Sequence, residues 1–173
     1  MLKTVTLMRF VSGAFALALG LGAETAHAGT VSYSGAECNP VADSVNAVSY
    51  SQFGVHAFAI AFSGPTVVCP VPIPFSSTTT GNLQNVVLNV FDRNNTTNPE
   101  AVNFNCTLYV VSGSGVFANP PKQPNLFNPG AAPLPIFLNN SVSGATSANV
   151  VCTMPNQTNA GVSHILSYTV TTN

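Results

Sequence analysis

Ala101-Val102-Asn103-Phe104-Asn105-Cys106-Thr107-Leu108-Tyr109-Val110-Val111 alternates apolar and polar side chains almost without interruption. In an extended chain Val102, Phe104, Cys106, Leu108 and Val110 share one face, and Asn103, Asn105, Thr107 and Tyr109 share the other. A period of two marks a strand with one side in a core and one in water. Ala148, Val150, Cys152 and Met154 repeat the pattern, again with a cysteine on the apolar side.

Working outward, Thr30–Ser34, Ser44–Tyr50, Phe53–Phe62, Thr66–Cys69, Asn85–Asp92 and Val162–Thr171 are further strand candidates. They are rich in Val, Phe, Tyr, Ile and Thr and are separated by Gly, Pro or Asn clusters. About eight short strands predict an all-β fold, an antiparallel β-sandwich of immunoglobulin-like or jelly-roll type. Two stretches break the pattern. Pro70-Val71-Pro72-Ile73-Pro74 alternates proline with apolar residues and reads as an extended edge or polyproline segment. Residues 118–135 hold six prolines between Pro120 and Pro135 and read as one long loop over the sandwich, stiffening a connection and covering a sheet edge.

The N-terminus predicts a cleavable export signal over residues 1–28. Lys3 and Arg9 precede the uncharged apolar stretch Phe10–Ala23, and Ala26-His27-Ala28 presents small residues at the two positions a signal peptidase reads. The apolar stretch is short for a bilayer span, so the processed chain is expected not to insert in a membrane. Residues 29–173 then form a single domain, secreted to the periplasm, cell surface or medium. Export makes an even cysteine count a disulfide framework. Four cysteines allow three pairings; Cys38–Cys69 and Cys106–Cys152 are favoured because each keeps to its own half of the chain, and Cys106 and Cys152 both face a core. Zinc would want closer pairs than these.

Beyond residue 28 the only cations are Arg93 and Lys122, against Glu37, Asp43, Asp92 and Glu100. Two cations cannot displace the counterions of a nucleic acid, which excludes that partner. Such a surface must be built from Asn, Ser, Thr and Gln, with little charge repulsion between copies.

Catalytic equipment is sparse. His56 and His164 are the only imidazoles beyond residue 28, and no G-x-S-x-G elbow occurs. Strand alternation places His56 with Phe58, Ile60 and Phe62, and His164 with Val162, Leu166 and Val170, so both read as core or edge residues; a metal pair is the rarer outcome. Asp92 and Glu100 flank one turn around Arg93, where a surface ion pair explains them better than a carboxylate pair for glycoside hydrolysis. Asp92, Asn94, Thr96, Asn98 and Glu100 place oxygen donors at every second position, the basis of a calcium hypothesis, although the glycine and glutamate spacing of an EF-hand is missing. Tyr109, on the polar face of its strand, is the candidate glycan contact. These features predict a non-enzymatic structural or self-assembling protein of the cell exterior, with no cofactor. The alternative is a lectin-like carbohydrate-binding module, with calcium as an aid.

Overall fold

The computed structural model describes residues 29–57, 64–73, 81–92, 104–123, 133–156 and 161–173. The expected export signal, residues 1–28, lies outside them. Ten strands occur among the described residues: β1 Gly29–Ser34, β2 Asn39–Pro40, β3 Val48–Ser51, β4 Gly54–Ala57, β5 Thr66–Val71, β6 Gly81–Phe91, β7 Asn105–Ser112, β8 Gly115–Ala118, β9 Leu134–Thr153 and β10 His164–Thr172. All pair antiparallel.

Strand β9 joins two layers. Its first part, from Leu134 to Ala145, pairs with β6, which pairs in turn with β10. Its second part runs between β7 and β5, and these are flanked by β8 and β2. The other side of β10 takes β4 at its start and β1 along the rest, and β3 pairs with β4. Inward residues along β9 are Leu134, Ile136, Leu138 and Val142, then Ala145, Ala148, Val150 and Cys152. The alternation shifts phase at Gly144, whose φ of 69° suits a residue without a Cβ. One strand thereby changes partners and carries its apolar face from one layer to the other.

Both layers contribute to a single core. Val67, Leu108, Val110 and Val150 from one meet Val86, Leu88, Ile136 and Tyr168 from the other. The Tyr168 hydroxyl donates to the Pro70 carbonyl oxygen at 2.7 Å, so this large side chain's polar group is hydrogen-bonded across the layers. Two disulfides, Cys38–Cys69 and Cys106–Cys152, lie in the same core, with all four cysteines fully buried. The fold is the antiparallel β-sandwich that the alternation predicts.

Several local readings are corrected. Ser44–Tyr50 becomes a strand only at Val48, because Ala42–Ser44 forms a 3-10 turn and the Ser44 hydroxyl accepts from the Thr66 backbone N–H at 2.9 Å. The Phe53–Phe62 segment is strand over Gly54–Ala57, after a turn in which the Ser51 hydroxyl accepts from the Phe53 N–H at 3.1 Å; residues 58–62 lie outside the described residues. Pro70 and Val71 belong to β5 and pair with Asn149 and Ala148 of β9. Proline is tolerated there because β2 pairs only with Val67 and Val68, so β5 is an edge at Pro70 and its missing N–H breaks no ladder. The expected loop is shorter than residues 118–135. Ala118 closes β8, the backbone of Lys122 bridges that of Cys106, and Leu134 already starts β9. Residues 124–132 lie outside the described residues. No described helix is long and apolar enough to cross a membrane.

Candidate functional site

The pairing register assembles an open face from the second half of β9 and its neighbours. Tyr109 on β7 stands directly opposite Asn149 on β9, which stands opposite Pro70 on β5. Directly opposed residues share a face, so these form one row, with Ala118 of β8 beyond Tyr109. The next row towards one end holds Thr107, Val151, Val68 and Asn39, and the row after it Asn105, Thr153 and Thr66. At the other end lie Val111, Ser147 and Val116. Rows on one face are separated by roughly 7 Å along the strands. None of these positions carries a charge. Tyr109 is 40% exposed, with exposed amides at Asn105 and Asn149. The sequence places Tyr109 on a polar face; the register supplies its neighbours.

The outer face of the other layer is similar in chemistry. Thr30, Ser32 and Ser34 of β1 oppose Thr171, Thr169 and Ser167 of β10, which oppose Asn85, Val87 and Asn89 of β6. Their side chains bond to one another rather than stand free: Thr30 with Thr171 at 3.3 Å, Ser32 with Thr169 at 3.0 Å, and the Asn89 amide donating to the Ser167 hydroxyl at 3.2 Å. Phe137 of β9, 50% exposed, stands opposite Val87. The sequence reading missed Phe137 because Pro133 and Pro135 hid the alternation Leu134, Ile136, Leu138, which is its only signal.

The two histidines meet. His56 of β4 lies directly opposite His164 of β10, with ring centroids 4.9 Å apart and planes tilted by 44°. Both are half-buried, so of the core and edge placements expected for them the core one is corrected. On β4, Val55 and Ala57 take the inward positions. On β10 a register shift between Ile165 and Ser167 turns Ile165, Tyr168 and Val170 inward, which leaves His164 on the outer face. Burial lowers the His56 pKa from the ordinary 6.5. The groups opposed to it are Ser49 of β3 and His164 itself. The neutral form is thus favoured by folding, and the unfolded chain binds the proton more readily. The associated stability is fully present above about pH 6.5 and is lost as pH falls through and below that value. The urea midpoint is expected to drop between pH 7.5 and pH 5.5, and less so in His56→Gln. Equal drops in both proteins would exclude His56 as the source.

Asp92 follows β6 and is 3% exposed. Asn94, Thr96, Asn98 and Glu100, the rest of the calcium hypothesis, lie outside the described residues. A cleft of about 330 Å³ opens where β1 and β10 approach Pro72 and Ile73, lined also by Val31, Tyr33 and Val170. Tyr33 stacks on Tyr168 beside it, centroids 5.2 Å apart. Burial pushes the Tyr168 phenol far above its ordinary pKa, with the charges of Glu37 and Tyr33 acting in the same direction. The lining is apolar and matches a hydrocarbon fragment better than a polyol.

Fold and faces together define a disulfide-linked antiparallel β-sandwich whose outer-face rows, among the described residues, carry hydroxyls and amides without Asp, Glu, Lys or Arg. No family model and no curated protein matches the chain. Among solved structures, a xylan-binding module CBM15 is similar, with a TM-score of 0.49 at 14% identity over 84% of this chain and 97% of that one.

Proposed function

We propose that this chain is an exported, non-enzymatic carbohydrate-binding module whose contact surface is the face around Tyr109. The observation that carries the reading is Tyr109 itself, exposed in the middle of an uncharged field of amides and hydroxyls. A sugar ring offers a C–H face that packs on an aromatic ring, and a rim of hydroxyls that both donate and accept. Asn105 and Asn149 side chains do the same. Two buried disulfides support an oxidising, extracytoplasmic compartment. Uncharged glycans suit a face with no charge to pair.

The test is a glycan array of neutral oligosaccharides, run with and without calcium, followed by titration of any hit. Tyr109→Ala is expected to cost at least about 2 kcal/mol of binding, roughly thirtyfold in Kd, with an unchanged urea midpoint. Phe137→Ala should bind like the parent. An array with no hits, or a Tyr109→Ala variant that keeps its affinity, removes this reading. Calcium dependence would support calcium as an aid to binding.

A second reading, self-assembly, draws on β8. This four-residue edge strand exposes Val116 at 69% and Phe117 at 41%. Exposed apolar edges pair with other strands. Light scattering over a concentration series tests it: growing mass that Val116→Lys abolishes favours assembly, and a monomer at all concentrations disposes of it.

A further inference from the structure

We propose that His56 and His164 form a chelating site for a divalent transition-metal ion, Cu²⁺ or Zn²⁺, on the outer surface of the β4–β10 pair. The two residues are direct cross-strand partners, so their side chains leave the sheet on the same side. A metal at about 2.0–2.1 Å from a nitrogen of each ring, with an N–metal–N angle between a right angle and the tetrahedral value, puts the ring centroids about 4.5–5.2 Å apart. The observed separation is 4.9 Å, with the planes tilted rather than stacked.

The electrostatics suit a metal. Ligation needs neutral imidazole, and burial lowers the His56 pKa from its ordinary value, in the direction of that form. His56 Nδ1 is buried with no hydrogen-bond partner among the described residues. An unsatisfied ring nitrogen costs free energy, and a bound cation is one group that would satisfy it. Ser49 lies beside His56 and Phe91 beside His164 in the same row, so neither brings a cation that would repel the metal.

The support is rigid, because both histidines stand on paired strands and not on a loop. Gly35 and Gly54 pack against the Ile165 backbone next to His164, which sets the approach of β4 to β10. Among the described residues no third histidine, cysteine or carboxylate joins the pair. With two imidazoles as its ligands among the described residues, the site should follow the usual preference of imidazole for Cu²⁺ over Zn²⁺.

Calorimetric titration of the purified protein with CuCl₂ and with ZnCl₂ tests the proposal. One equivalent should bind, Cu²⁺ more tightly. His56→Gln and His164→Gln should each weaken binding by at least the roughly tenfold that removing even a supporting group costs a metal site. No heat with either metal, or a single variant that binds like the parent, would overturn it. A second measurement needs no variant: substoichiometric Cu²⁺ should broaden the imidazole proton resonances of His56 and His164 before any others. Broadening that starts elsewhere, such as at the chain's amino terminus, would equally overturn it.

Discussion

Alanine at Gly54 is expected to lower stability by roughly 3 kcal/mol or more, beyond the usual range for a surface turn. Two causes add. Gly54 has a φ of 110°, a conformation that residues with a Cβ rarely adopt. An added Cβ would also overlap the carbonyl oxygen of Ile165, a backbone atom that cannot swing away. That oxygen sits where β10 shifts register between Ile165 and Ser167 and passes from β4 to β1. Relief of the clash would separate β4 from β10 and pull His56 from His164, so metal affinity should fall with stability. Gly113→Ala is the control. Nothing lies within 4 Å of a Cβ built there, and its unfolding free energy should stay within about 0.5 kcal/mol of the parent's. Equal midpoints for the two variants would refute the packing argument.

Replacing Cys106 and Cys152 together by alanine is expected to cost about 4 kcal/mol, from the chain entropy released when a loop spanning 46 residues is no longer closed in the unfolded state. Alanine avoids burying a hydroxyl at two positions that have no exposure. The loss should lower Tm by on the order of 10 °C for a domain of this size. Removal of Cys38–Cys69, with a separation of 31, should cost slightly less by the same reasoning. Non-reducing calorimetry of both double variants decides it. If the double variants melt at the parent's Tm, the bridges do not stabilise the fold as argued.

Part of this architecture is legible in the chain and part is not. Asn105–Ser112 forms a strand with Cys106, Leu108 and Val110 inward, as alternation alone requires. Cys152 shares that logic, and the two cysteines turn out to be opposed residues in one ladder. Tyr109 was legible as a polar-face aromatic. Asn149 lies between Ala148 and Val150, and so on the polar side of the second alternation. Their adjacency was not legible, because alternation assigns a side and says nothing of which strand lies opposite or in what register. Leu134–Leu138 escaped notice because proline is counted against a strand, yet it is harmless at a strand's start or on an edge. The face of His164 was hidden for a related reason. Period-two counting runs straight through a bulge, and the shift at Ile165–Ser167 changes which residues of β10 face out.

By itself, then, the sequence determined the properties that are sums or local periods. These are a charge-poor surface with few catalytic groups, strands with one apolar side, cysteines facing inward and a sandwich as the way to bury those sides. Only the tertiary structure decided the properties that depend on register between distant strands. They are the partner exchange of β9 at Gly144, the Tyr109–Asn149 row and the meeting of His56 with His164 across more than a hundred residues of chain. Burial energy depends on how much apolar area is covered and is read from each segment alone. Register depends on bulges, positive-φ glycines and close backbone approaches, each of which takes its meaning from a neighbour that the chain reaches only when folded.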